Sequence, residues 1–287
     1  MIRYNFQGKL YLVTGGSGFL GKPLVARLLA EGARVRVLSR DEGKLIELKQ
    51  EHPSVEILTG DISDWFEVKQ AMEGIDGVFH LAASKHVGIA EYQVRECIKS
   101  NTIGSMHILE HSLDKDLDFV IGISTDKAAQ VAGVYGASKL LMERLFTQFE
   151  KLNPKCDYRI VRYGNVLYST GSVLCKWKDL LQDGKEVIVT APDATRFFWT
   201  VDQALDLIYD CLENAEDSKP YVPGMKAMSI GNLLEAMVQK YLPEDATKSI
   251  KVIGLQPGEN MHEKILEQGP ASDEVEQYTI EEIKELI

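Results

Sequence analysis

Tyr135-Gly136-Ala137-Ser138-Lys139 sets a phenol and an ammonium four residues apart. Four residues are about one helical turn, so the two groups share a face if this segment opens a helix. An ammonium beside a phenol favours the phenolate and draws the tyrosine pKa toward working pH. A phenolate beside a nicotinamide can accept a hydroxyl proton while hydride leaves the same carbon. Just upstream stands Thr125-Asp126-Lys127. Thr125 can hydrogen-bond the oxygen being oxidised, while Asp126 and Lys127 bring a carboxyl and an amine to one place. Elimination removes one proton and delivers another, which suits a pair of opposite titratable groups. A plain dehydrogenase or epimerase needs no such pair. The blander alternatives are a surface helix turn for Tyr135 and Lys139, and an ion pair capping a strand for Asp126 and Lys127.

Such groups need a scaffold, and the pattern supplies one. Apolar or alternating runs at Lys9–Thr14, Arg34–Leu38, Val55–Leu58, Gly77–Leu81, Phe119–Ile123 and Arg159–Tyr163 read as strands. Helical patterns lie between them, most clearly Phe19–Glu31, closed by Gly32, then Val94–Leu113 and Val134–Lys151. Regular strand–helix alternation predicts an α/β fold, a Rossmann-type doubly wound parallel sheet. After Tyr163 the rhythm breaks, and Pro192, Pro220, Pro223, Pro243, Pro257 and Pro270 punctuate the chain. Residues 1–165, with part of 196–215, read as the nucleotide-binding domain. Residues 166–195 and 216–287 read as a smaller C-terminal substrate-binding lobe over the sheet's ligand-binding edge.

Thr14-Gly15-Gly16-Ser17-Gly18-Phe19-Leu20-Gly21 joins the first strand to the first helix. Glycines let the backbone approach a pyrophosphate, and the helix N-terminus offers free N–H groups to it. Gly15, Ser17, Gly18, Phe19 and Leu20 are therefore cofactor candidates, an unliganded turn being the alternative. The second strand ends Leu38-Ser39-Arg40-Asp41. Ser39, Arg40 and Lys44 suit a 2′-phosphate and favour NADP, whereas Asp41 would favour NAD. Asp61 and Ile62 fall where adenine is contacted, with a helix cap as the alternative use of Asp61 and Ser63 or Asp64 as competing caps.

The bulk numbers set bounds. The 287 residues carry a net charge of −11, against the basic face that nucleic-acid binders usually need. No apolar run approaches the ~18–20 residues that span a bilayer, and the first residues lack a signal-peptide core. The expectation is a cytoplasmic chain without a membrane partner. Cys97, Cys156, Cys175 and Cys211 form no CxxC and read as free thiols. His107 and His111 are spaced like metal ligands but suggest no third ligand, and no metal is expected.

The segments TGGSGFLG, HLAASKHVGIAEY, STDKAAQVAGVYGASK, VRYGNVLYSTGSV, TRFFWTVDQA and LQPGENMHE occur in this order. Together they resemble the extended short-chain dehydrogenase/reductase superfamily and, within it, the UDP-N-acetylglucosamine 4,6-dehydratases that invert C5. The resemblance implies a redox-neutral cycle. Tyr135 takes the O4 proton as C4 is oxidised, Lys127 removes the C5 proton, and Asp126 protonates the departing C6 hydroxyl. Hydride then returns to C6 and C5 is reprotonated from the other face, giving a UDP-4-keto-6-deoxy-hexosamine of L-arabino configuration. It requires a neutral Lys127, its pKa depressed by desolvation or by Lys139 and the oxidised nicotinamide.

The resemblance also assigns further residues. Ala82, Ala83, Lys85 and Asn101, with Tyr163 and Asn165, go to the cofactor. Lys85, His86, Asn165, Ser172 and Val173 go to the substrate. Thr195, Arg196 and Glu259 are assigned to the uridine diphosphate, Arg196 as a phosphate clamp. It implies a homo-oligomer, dimer or hexamer. Ser84, Asn260 and residues 129–133 depart from the family pattern. The alternatives are a UDP-hexosamine 5,6-dehydratase, a C4 epimerase or reductase, and a non-catalytic NADP-binding regulator.

Overall fold

The computed structural model describes residues 3–243, 246–256 and 258–287. Pro257 and the first two residues of the N-terminal segment lie outside them. The apolar runs become strands and the amphipathic stretches become helices that bury one stripe. In chain order they are β1 (Leu10–Thr14), α1 (Gly21–Ala30), β2 (Arg34–Ser39), α2 (Glu42–Glu51), β3 (Glu56–Thr59), α3 (Trp65–Ala71) and β4 (Gly77–His80). There follow α4 (Val87–Tyr92), α5 (Val94–Ile98), a π-helical turn (Lys99–Ile103), α6 (Gly104–Ser112), β5 (Phe119–Thr125), α7 (Val134–Leu152) and β6 (Asp157–Tyr163).

Ends are set by ordinary cap chemistry. Asp41 accepts from the Lys44 N–H at the start of α2, and Asp64 accepts from two amides of α3. Gly32, at φ +82°, closes α1. The stretch read as one helix, Val94–Leu113, is interrupted by the π turn, which periodicity cannot reveal.

The remaining elements are β7 (Asn165–Val166), α8 (Val173–Gln182), β8 (Val187–Val189), β9 (Thr195–Trp199), α9 (Val201–Asn214), β10 (Pro220–Tyr221), β11 (Ala227–Ser229), α10 (Ile230–Tyr241), β12 (Ile250–Val252) and α11 (Ile280–Leu286). The main sheet runs β10-β6-β5-β4-β1-β2-β3 with every pairing parallel. Chain order reverses between β1 and β4, which opens a crevice at the strands' C-terminal ends. One correction concerns the lobe boundary. Pro220–Tyr221 pairs with Ile160–Val161, so the chain rejoins the main sheet after residue 216 before entering the lobe. The smaller lobe packs α8, α10 and α11 around Leu174, Trp177, Leu233, Met237 and Ile283. It carries the short sheets β11-β9-β7 and β12-β8.

One buried cation ties these parts together. Arg162 on β6 is 1% exposed and grips Glu143 of α7 through Nε and an NH2 group at 2.7 and 2.6 Å. It also donates to the Ile265 carbonyl at 2.9 Å and to Glu267 at 2.9 Å. Removing one partner of such a pair strands the other charge in the interior. Arg162→Met should lower unfolding free energy by about 3–5 kcal/mol in a denaturant titration. Adding Glu143→Gln should recover part of it. Equal stability of Arg162→Met and the unsubstituted protein would contradict this role.

Candidate active site

The crevice at the β1/β4 switch is a cleft of about 760 Å³. One wall is the glycine turn. Gly15 has φ +70°, and a Cβ there would lie 3.0 Å from the Ala82 nitrogen on the neighbouring strand tip. A Cβ on Gly21 would meet the Gly15 carbonyl at 2.4 Å. The turn therefore closes tightly only with glycine at these positions. Leu20, the N-cap of α1, makes no side-chain cap, so the first-turn amides are left for an anion. Gly15, Ser17, Gly18, Phe19 and Leu20 line the cleft, and Ser17 donates to Ser39 at 2.8 Å. Farther along lie Arg40, Lys44 and Ile62, then Ala82, Ala83, Lys85 and His86. This is the shape and donor set of a dinucleotide cradle.

The opposite wall is made by the tips of β5 and β6 and the start of α7. Thr125 pairs with Tyr163 across the β5–β6 register, and both face the cleft with Tyr135, Lys139 and Asn165. The Tyr163 hydroxyl is buried without a hydrogen-bond partner among the described residues, as fits a group awaiting a ligand. Tyr135 and Lys139 lie about one turn apart at the start of α7, as their spacing predicts. Their electrostatics differ from expectation. Burial pushes the Tyr135 phenol up to about 12, and the cation that opposes this is Lys127, not Lys139. Lys139 points into β5, donating to the Ile123 carbonyl at 2.7 Å, and burial lowers its own pKa to about 8. Burial thus favours the protonated phenol in the free protein.

Behind Thr125 lies a charged cluster. Lys127 Nζ sits 3.1 Å from Asp126 Oδ1 and 3.7 Å from Glu263 Oε1, and Arg196 Nε lies 3.8 Å from the same Glu263 oxygen. Asp126 is fully buried, and its Oδ1 also accepts from the Thr125 hydroxyl and the Lys127 amide, each at 2.8 Å. Its Oδ2 has no partner among the described residues. The expected depression of Lys127 is corrected. Burial acts downward, but Asp126 and Glu263 together raise its pKa, so the resting group is an ammonium.

Several expected contacts are not on the cleft wall. Asn101 is fully buried in the π turn, where it accepts from the Ser84 N–H at 2.7 Å and donates to the Ser84 carbonyl at 2.9 Å. It pins the loop after β4 rather than facing a cofactor. Asp61 accepts from the Ser63 amide at 2.8 Å and lies 3.8 Å from Arg40. Thr195 and Arg196 are each 7% exposed: Thr195 bonds His262 and Ser272, while Arg196 donates to the Thr195 and Met261 carbonyls. Arg196 is thus spent on internal partners, these two carbonyls and Glu263. Glu259 accepts from the Gln256 amide in its own loop. Ser172 and Val173 sit just past the cleft, at the start of α8. His107 and His111 bond the carbonyls of Ile62 and Trp65. Glu263 joins this cluster without any signal in the sequence, because a lone glutamate carries no sign of the ammonium it will meet.

A family model described as "Polysaccharide biosynthesis protein" matches residues 11–285. The chain is 37% identical to "Uncharacterized membrane protein MJ1061" of Methanocaldococcus jannaschii, over 98% of this chain and 85% of that protein. It is 33% identical to a UDP-N-acetylglucosamine 4,6-dehydratase (inverting) of Campylobacter jejuni, over 90% of this chain and 77% of the relative. It is 30% identical to a UDP-glucose 4-epimerase of Rickettsia conorii, over 95% and 82%. Among solved structures, Pen from Bacillus thuringiensis superposes with a TM-score of 0.92 at 29% identity, covering 99% of this chain and 98% of that one. No helix among the described residues is long and apolar enough to cross a membrane.

The depressed Lys139 yields a stability prediction with a definite sign. Its pKa falls from 10.5 to about 8 on folding, so between those values the unfolded chain holds the extra proton and stability rises with pH. Below about pH 8 the penalty is complete, on the order of 3 kcal/mol. Lys139→Met should therefore be more stable than the unsubstituted protein at neutral pH, the excess vanishing as pH approaches 10.5. Denaturant unfolding across that range reads it, and an unchanged or lower stability throughout would refute it.

Proposed function

The chain belongs to the polysaccharide biosynthesis protein family, homologous to UDP-N-acetylglucosamine 4,6-dehydratases and UDP-glucose 4-epimerases, and from that premise we propose a C5-inverting, NADP-dependent UDP-N-acetylglucosamine 4,6-dehydratase. The observation that carries the choice is the buried Asp126–Lys127 pair at 3.1 Å beside Tyr135 and Thr125. Moving the Lys127 proton to Asp126 leaves a free amine and a carboxylic acid, with no change in net charge. One ion pair would thereby supply the base and the acid of an elimination. Lys127 faces the cleft and would exchange the C5 proton. Asp126 Oδ2, without a partner among the described residues, would hold the proton for the C6 hydroxyl. Thr125 and Tyr135 would hold O4, with Tyr135 as its proton acceptor.

When bound, the nicotinamide would accept hydride from C4 and return it to C6. The glycine turn would cradle its pyrophosphate, and Lys139, Tyr163 and Asn165 would fix its reactive end. NADP is favoured because Asp41, the acidic residue near the β2 tip, is occupied as a helix cap and paired with Lys44 Nζ at 3.0 Å. Ser39 and Arg40 remain on the wall for a 2′-phosphate. With Arg196 internal, the uridine diphosphate would be held at the Lys85–His86 lip and at the α8 N-terminus by Ser172 and Val173. Residues 1–165 then serve the cofactor and the lobe the sugar nucleotide. A cytoplasmic homo-oligomer, dimer or hexamer, completes the proposal.

The epimerase reading is the second candidate, favoured by the 30% identity to the Rickettsia enzyme. Incubation with UDP-N-acetylglucosamine and catalytic NADP, followed by mass spectrometry, separates the two. Dehydration loses one water without net consumption of NADPH, whereas an unchanged mass with inverted C4 would establish epimerisation. NMR distinguishes the 4-keto product from a 5,6-unsaturated sugar of equal mass. Asp126→Asn and Lys127→Met should each lower turnover at least about 100-fold while still binding NADP. Arg40→Ala should weaken NADP at least about tenfold relative to NAD by calorimetry. Equal losses for both nucleotides would remove the basis for the NADP preference.

A further inference from the structure

Glu263 reaches the acid–base pair from a distant part of the chain. It is 1% exposed, and its Oε1 lies 3.7 Å from Lys127 Nζ without a hydrogen-bond partner among the described residues. Its backbone is held on both sides: the amide donates to the Ser272 hydroxyl at 2.9 Å, and its carbonyl accepts from the Ser272 amide at 2.8 Å. Ser272 is itself bonded to Thr195 on β9. Asn260 approaches the other carboxylate oxygen at 3.4 Å. A buried carboxylate anchored this firmly and aimed at an ammonium is costly to keep unless the charge is used.

We propose that Glu263 is a positioning residue for proton transfer, a second carboxylate that the C-terminal segment presents to Lys127. It rests on the reading of Lys127 as the group that exchanges a proton with substrate. Once its proton has passed to Asp126, the Lys127 amine faces Glu263 alone. When that amine takes a proton from substrate, the new ammonium forms 3.7 Å from a carboxylate, which strengthens the base. Arg196 keeps Glu263 balanced while Lys127 is neutral, at 3.8 Å. The charged and titratable groups facing the cluster are Asp126 from the β5 tip, Arg196 from β9 and Tyr135 from α7, with Asn260 a neutral neighbour. Two carboxylates and two cations sum to zero, and moving a proton from Lys127 to Asp126 preserves that sum.

The test needs no turnover. Lysine side chains are labelled at Cε, the Lys127 resonance is assigned by its loss in Lys127→Met, and its titration is followed by NMR. Glu263→Gln keeps the shape and removes the charge, and it should lower the Lys127 midpoint by about one pH unit or more. Glu263→Asp, which keeps the charge on a shorter arm, should titrate between the two and restore most of the effect. NADP affinity should be unchanged. If the dehydratase reading holds, Glu263→Gln also lowers kcat more than it raises KM and moves the pH–rate profile in the same direction. Coincident Lys127 titration curves in the unsubstituted and substituted proteins overturn the inference. Failure to dehydrate UDP-N-acetylglucosamine with a shifted Lys127 curve overturns only the functional reading beneath it.

Discussion

Taking an ammonium out of water is among the most expensive acts a fold can perform, and this protein places two of them around the tip of β5, Lys139 buried and Lys127 half-buried. Their treatment differs. Lys139 meets a backbone carbonyl, and burial carries its pKa down. Lys127 meets two carboxylates, and their attraction overrides burial. Lys139 thus gives up its proton more readily than an exposed lysine, while Lys127 rests as a cation. Burial favours the protonated form of the neighbouring phenol. The site is therefore set for chemistry but not committed to it in the free protein.

The surrounding structure maintains this arrangement. Thr14, at the end of β1, accepts from the Ala82 amide and bonds His80 Nδ1 at 2.8 Å. His80 Nε2 meets Ser105, whose hydroxyl donates to the Asn101 carbonyl in the π turn. With that hydroxyl hydrogen spent, His80 donates through Nε2 and accepts through Nδ1, a neutral tautomer consistent with a pKa lowered to about 3 by burial. The chain of bonds links the glycine turn to the helix that pins the Ser84 loop. On the other side, Arg162 and Glu143 lock α7 to β6 and to the segment that bears Glu263. Positions of reacting groups are fixed by charge pairing as much as by apolar packing.

The legible part of this design was local. Strand–helix alternation implied a doubly wound parallel sheet, because apolar runs and amphipathic stripes carry their own period. The glycine turn and the Tyr135–Lys139 spacing were equally readable, since each depends on residues within one turn. What escaped was set by long-range contact. Arg196 reads as an exposed clamp until Met261, far along the chain, offers it a carbonyl. Asn101 reads as a cofactor contact until a π turn rotates it toward Ser84. Pro220–Tyr221 reads as lobe, yet it completes the main sheet's edge, where proline is tolerated. The upward shift of Lys127 against burial comes first from Asp126, its sequence neighbour, and then from Glu263, whose approach no local pattern shows.

The central claim is that the Asp126–Lys127 pair exchanges protons with the sugar during an elimination. Turnover of UDP-N-acetylglucosamine in deuterium oxide tests it most directly, with NMR reading the label in the product. The account predicts one deuterium at C5, none at C6, and the loss of this labelling in Lys127→Met. Product carrying hydrogen at C5, or labelling that survives without Lys127, would contradict it.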